Sequence, residues 1–108
     1  METDQLNMCP RFENAFSVLG KRWNGLIIEC LMSGPKRFKD ISNIIPSMSD
    51  KMLSERMKDL ECEGLLVRHV YPETPVRIEY ELTEKGKALR PVMEQIHNWA
   101  EQWIEIEK

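Results

Sequence analysis

The chain has 108 residues, 42% apolar and 31% charged, and a formal net charge of −3, which admits one small folded, soluble domain over residues 1–108 with a modest core. Three cysteines, Cys9, Cys30 and Cys62, are too few and too oddly numbered for a disulfide framework, and none stands in a Cys-x-x-Cys spacing, which implies free thiols in a reducing compartment. Residues 1–8 are acidic and polar without a basic-then-apolar signal pattern, and no apolar run approaches the roughly 18 residues of a membrane span, so a cytoplasmic protein away from membranes is expected.

The first predicted helix begins at Pro10, carries Phe12, Phe16 and Leu19 at helical spacing, and stops at Gly20. A second runs from about Trp23 to Met32. Its sequence, WNGLIIECLM, is apolar nearly all round, which predicts burial, and Ser33-Gly34-Pro35 ends it. A third starts near Arg37 or Phe38, keeps Phe38, Ile41, Ile44 and Ile45 on one side, and stops at Pro46. Ser47 and Ser49 offer caps for a fourth, Asp50 to Glu63, closed by Gly64. The period then changes to two, first in LLVRHVY and then in VRIEYEL, which predicts a hairpin whose connection, Pro72-Glu73-Thr74-Pro75, lacks a tight-turn signal and projects from the body. Thr83 caps a last long helix, about residues 84–105, kinked at Pro91, with Leu89, Val92, Met93, Ile96, Trp99, Ala100 and Trp103 in one stripe.

The net charge hides an uneven distribution. Residues 20–58 carry eight basic groups against four acids, and the rest of the chain is correspondingly acidic. Cations that converge on one face are what a DNA duplex selects, although a solvated charged face is the commoner origin of such a run. The element order, four helices, a hairpin and a long final helix, predicts a mainly α fold with a small β-hairpin (α+β), a winged helix-turn-helix. In the fourth helix Leu53, Met57 and Leu60 cluster on one side and Lys51, Ser54, Glu55 and Lys58 on the other, with Arg56 at the flank of the buried face. Lysine and serine suit base-edge or phosphate contacts, and Glu55 can accept from a cytosine amino group. The predicted DNA-binding set is therefore Lys36, Arg37, Ser49, Lys51, Ser54, Glu55, Arg56 and Lys58, with Arg68 or Arg77 of the wing reaching phosphates or the minor groove. The bland alternative for the fourth helix is an ordinary solvated face.

The final stripe is too long for one small domain to cover, and Phe12 and Phe16 give the first helix a face to meet it across a two-fold axis. This predicts a homodimer through helices at about residues 10–20 and 84–105, with Phe12, Phe16, Ile96, Trp99 and Trp103 at the interface and a palindromic double-stranded DNA operator as the partner. Cys9 precedes Pro10, a residue favoured at the first helical position, so Cys9 is the expected N-cap, with its sulfur close to unpaired amides and the positive helix end. Those groups and the neighbouring Arg11 stabilise a thiolate, making Cys9 a candidate redox or electrophile sensor; the bland reading is an incidental cysteine near a terminus. Cys30 and Cys62 read as small apolar core or boundary residues.

His69 and His97 form no metal-ligand spacing and no nucleophile-base set, so no enzyme, metal or cofactor is expected. Trp23, Trp99 and Trp103 can line a ligand cavity, which keeps a regulator of non-covalent small-molecule type, or a protein-interaction module without redox sensing, as the alternative; core and interface packing are the commoner uses of such residues.

The segments GPKRFKDI, MLSERMKDLECEGLLVR, YPETPVRIEYELTEKGKAL and the tryptophan in IHNWAEQW resemble the HxlR-type branch of MarR-like winged-helix transcription regulators, over residues 9 to about 104. MCPRFENAFSVLGKRWNGLII is similar in particular to members that sense quinones and diamide through an N-terminal cysteine before proline. The resemblance implies a homodimeric DNA-binding repressor, dimerised through its first and last helices and induced by a quinone-like electrophile or oxidant. Some members close an intersubunit disulfide with a C-terminal cysteine, and no cysteine follows Cys62 in this sequence. Alkylation of Cys9 by quinone-like electrophiles therefore ranks first. A bond to the partner subunit's Cys9, Cys30 or Cys62, or a mixed disulfide with a small thiol, stays open.

Overall fold

The computed structural model describes residues 8–106, so the acidic stretch of residues 1–7 lies outside the described residues. In chain order come α1 (Pro10–Leu19), α2 (Asn24–Leu31), α3 (Phe38–Ile44), α4 (Asp50–Cys62), β1 (Leu66–Tyr71), β2 (Arg77–Leu82), α5 (Glu84–Lys87) and α6 (Arg90–Trp103). Among the described residues no helix is long and apolar enough to cross a membrane.

Local chemistry sets most of these boundaries. Pro10 occupies the first turn of α1 and Cys9 is its extended N-cap, with the Cys9 carbonyl accepting from Glu13 N–H at 3.0 Å. Ser49 caps α4 by accepting from Met52 N–H at 3.1 Å, and Gly64 ends the segment at φ +77°, a value that strongly favours glycine. The Asp40 carboxylate accepts from Arg37 N–H at 3.2 Å at the start of α3, and Ser42 Oγ donates to Asp50 Oδ1 at 2.9 Å across the turn between α3 and α4.

The core gathers Ile27, Ile28 and Leu31 of α2, Ile41 of α3, Leu53, Met57 and Leu60 of α4, and Leu66 and Leu82 at the base of the hairpin. The strands pair antiparallel in the register Leu66 to Leu82 through Tyr71 to Arg77. Lys36 adds a bridge on the other edge of β2, donating its N–H to Tyr80 O at 3.0 Å and accepting from Tyr80 N–H at 2.8 Å. A single bridging residue has no periodicity, so this tie between the wing and the segment leading into α3 leaves no local signal in the chain.

Two expectations change. The predicted last helix is two helices, because Thr83 Oγ1 caps only the short α5, accepting from Gly86 N–H at 3.2 Å, and Pro91 then stands in the first turn of α6. Proline cannot donate to a carbonyl one turn back and its ring collides with it, so the chain restarts at Arg90 instead of bending. Gly86 sits so close to β1 that an added Cβ would strike Leu65 O. Cys62 is exposed, not a core or boundary residue. At 100° per residue it lies about 200° round from buried Leu60, on the far side of α4. Cys30 is buried as expected.

The turn between α1 and α2 is costly. Trp23 takes φ +81°, which for a bulky residue costs roughly 1–3 kcal/mol. Next to it Asn24, 1% exposed, donates through Nδ2 to Val18 O at 2.8 Å, while its buried Oδ1 has no partner among the described residues.

Candidate nucleic-acid interface and thiol site

Burial of Leu53, Met57 and Leu60 turns Lys51, Ser54, Glu55 and Lys58 of α4 outward, all four exposed. Arg68, exposed on β1, meets Ser54 and Lys58 around a cleft of about 350 Å³ completed by Met57, Glu61 and Tyr80. One surface therefore carries the exposed side of the second helix of a helix-turn-helix and the first strand of a wing. Ser49 stands at the N-terminus of that helix with its oxygen engaged by Met52 N–H. Lys36 and Arg37 lead into α3, where Lys36 Nζ donates to Ser33 Oγ at 2.7 Å and the Arg37 side chain is exposed.

Two arginines from the predicted DNA-binding set are engaged within the chain. Arg77 donates to Glu73 at 2.9 and 3.3 Å and to Glu79 at 2.7 Å, and its guanidinium lies 3.9 Å from the centre of the Tyr71 ring. Those hydrogen bonds, to Glu73 first, raise the Arg77 pKa above its ordinary value and hold the Glu73 carboxyl below its own. Arg56 is 15% exposed; Nε donates to Arg22 O and Nη1 to Asp59 Oδ2, both at 3.2 Å. The acidic partners Glu73, Glu79 and Asp59 stand within four residues of their arginines, but the carbonyl that Arg56 also meets lies 34 residues away and leaves no local signal.

Cys9 is exposed at the head of α1. Its sulfur accepts no capping hydrogen bond, so the cap position is filled by backbone geometry alone. Phe12 and Phe16 follow at three and seven residues, on the same side of the helix, with ring centroids 5.0 Å apart and exposures of 54% and 57%. α1 buries none of its residues. The flank beside them, Arg11, Ala15, Val18 and Leu19, faces Leu65, Lys85 and Leu89 across a cleft of about 440 Å³. On α6 only Met93 is buried, whereas Val92, Ile96, Trp99 and Trp103 form a continuous stripe, the two tryptophans 59% and 65% exposed. α6 is tied to the body by His97 Nε2 with Glu29 Oε2 at 2.9 Å and by Arg90 donating to Met32 O at 3.0 Å. Burial pushes the Cys30 thiol pKa up, opposed in part by Lys36.

A helix-turn-helix pair followed by a two-stranded wing, with cations on the outer side of its second helix, defines a winged-helix regulator of transcription. The HxlR-like helix-turn-helix family matches residues 18–108, and the chain belongs to it. The HTH-type transcriptional regulator YodB of Bacillus subtilis is 58% identical over 98 residues, spanning 91% of this chain and 88% of the relative. Its solved reduced form superposes with a TM-score of 0.82 at 56% identity, covering 94% of this chain and all of that one. The diamide-treated form gives 0.76 at 56% identity and 94% coverage, and the quinone-bound form 0.78 at 53% and 89%, each covering the whole solved chain.

Proposed function

We propose that this chain is a homodimeric DNA-binding repressor that releases its operator when Cys9 is modified by a quinone-like electrophile or an oxidant. The observation that carries the reading is the position of Cys9, exposed at the head of a helix whose apolar side, Phe12 and Phe16, has no cover among the described residues. A second unpartnered stripe, Ile96, Trp99 and Trp103 of α6, supports pairing of two copies. The existence of reduced, diamide-treated and quinone-bound forms of a relative 58% identical supports the inducer class.

In the dimer two α4 helices enter successive major grooves about 34 Å apart on a palindromic site. Lys51, Ser54, Glu55 and Lys58 face bases and phosphates, with Arg68, Lys36 and Arg37 on the backbone. When the Cys9 sulfur adds to a ring carbon of a quinone, an S–C bond forms, the ring π electrons move onto a carbonyl oxygen, and the thiol and ring protons end on oxygen as a hydroquinone thioether. The bulk then lies in the subunit interface and changes the angle between subunits, hence the spacing of the reading helices. Loss of simultaneous engagement removes much of the specific affinity without touching a base contact. Of the disulfide routes, those through Cys9 and the exposed Cys62 are favoured over Cys30, whose thiol is buried.

Footprinting on the regions upstream of the gene itself and its neighbours tests this. The reduced protein protects a palindrome, quinone or diamide abolishes protection, and Cys9→Ser keeps it under treatment, while Cys30→Ser and Cys62→Ser still release. Release by Cys9→Ser at the wild-type dose rejects the mechanism. Lys51→Ala and Lys58→Ala each weaken binding and lower the salt slope by about one, and unchanged binding in both rejects the assigned face of α4.

A further inference from the structure

Cys9 stands at the head of α1, and at the other end of that helix a polar junction joins the turn after α1 to α4. Asp59 Oδ2, on α4, accepts from Lys21 Nζ at 3.0 Å and from Arg56 Nη1 at 3.2 Å. Arg56 Nε in turn reaches the Arg22 carbonyl at 3.2 Å, and the Arg22 guanidinium lies 4.6 Å from the Trp23 ring centre. Lys21, Arg22 and Trp23 make the turn that ends α1. Asn24 ties that turn back to α1 through Val18 O. Trp23 of this turn takes the positive φ, and Asn24, the first residue of α2, has no partner for its Oδ1 among the described residues.

A strained backbone persists only where its surroundings over-determine it, and such segments concentrate at switches. Here the surroundings are Arg56 and Asp59, which alternate along α4 with the outward Glu55 and Lys58. A tilt of α1 relative to the body therefore pulls on the helix that carries the DNA-facing side chains, because a packed junction with discrete hydrogen bonds shifts as a unit.

We propose that Lys21, Arg56 and Asp59 are positioning residues that transmit a change at α1 to α4, and that Arg56 acts through the Arg22 carbonyl and Asp59 instead of contacting DNA. The proposal rests on the sensing role of Cys9. With the junction intact, α1 and α4 of one protomer move together, and a change at the subunit interface alters the spacing of the reading helices. With it cut, α1 yields by itself and the spacing survives.

The test uses the full chain, alkylated at Cys9 with a benzoquinone in a Cys30→Ser, Cys62→Ser background, with adduct formation read by intact mass. Hydrogen exchange of α4 and operator affinity are measured before and after. In that background alkylation changes exchange along α4 and lowers affinity by about tenfold or more. Asp59→Ala and Lys21→Met take up the adduct equally, bind the operator within about threefold when reduced, as loss of an exposed ion pair allows, and show neither response. Asp59→Glu restores both. An α4 response that persists in both cut variants, or is absent in the parent protein, overturns the junction. A changed α4 with the operator retained leaves the junction standing and overturns the release mechanism instead. Arg56→Gln leaves the salt slope unchanged; a slope lower by about one marks Arg56 as a phosphate contact and removes it from the junction.

Discussion

α2 and α6 are both rich in large apolar residues, yet they end in opposite environments. In α2 Ile27 and Ile28 are fully covered, and Leu31 and Cys30 nearly so, by α3, α4 and the hairpin. In α6 only Met93 is covered, while Ile96, Trp99 and Trp103 face outward. The distribution of side chains around each helix explains this. α2 is apolar nearly all round and buries most of its length, leaving Leu26, 55% exposed, and Glu29 toward the surface, whereas α6 has one stripe, and the protomer has filled its core before that stripe is used. The contrast separates residues that make the protomer from residues available to join two of them.

The comparison breaks most visibly in the core. Ile28→Ala leaves a cavity among side chains that cannot fully collapse and lowers unfolding free energy by about 2–5 kcal/mol in urea titrations. A loss below about 0.5 kcal/mol would mean that α2 is not the centre of the fold. Ile96→Glu has a smaller effect of a different kind. It leaves the far-ultraviolet circular dichroism unchanged and weakens self-association by at least about tenfold, near 1.4 kcal/mol, read by light scattering across a dilution series. A wild-type protein that is monomeric at micromolar concentration, or an Ile96→Glu chain that unfolds, would erase the distinction between the two helices.

The last measurement perturbs nothing. Cys30 on α2 is buried and its thiol pKa is raised, so near neutral pH it holds less thiolate than an ordinary cysteine, and its labelling should accelerate as pH rises or as the chain unfolds. Cys62, exposed on α4, should label at least about tenfold faster than Cys30 in the native protein, with the two rates converging in denaturant. Equal native rates would show that α2 opens readily.

Much of this arrangement was legible in the chain itself, for reasons that can be named. Pro10, Gly20, Pro46, Ser49 and Gly64 act locally, through fixed φ, missing donors and capping oxygens, so helix ends fell within about a residue or two of the expected positions. The alternation after Gly64 predicted the hairpin, and the side of α4 opposite Leu53, Met57 and Leu60 predicted its outward residues. Cys62 could have been placed correctly by the same helical arithmetic, since it stands on the far side from Leu60. Pro91 marks the place where the final helix divides, and a proline alone is compatible with either a kink or a restart; the chain takes the restart.

The sequence by itself determined the order of elements, the buried helix, the outward side of α4 and the thiol before Pro10, because each depends on residues within one or two turns of one another. Only the tertiary structure decided the partners of the long polar side chains. Arg56 meets a carbonyl 34 residues away, Lys21 a carboxylate 38 residues away, and His97 a glutamate 68 residues away. Arg77, whose acidic neighbours are visible in the sequence, is also fixed by the hairpin that brings Tyr71 beneath it. A guanidinium reads the same in the sequence whether it will face phosphate or carboxylate, and which it meets depends on how the chain closes on itself.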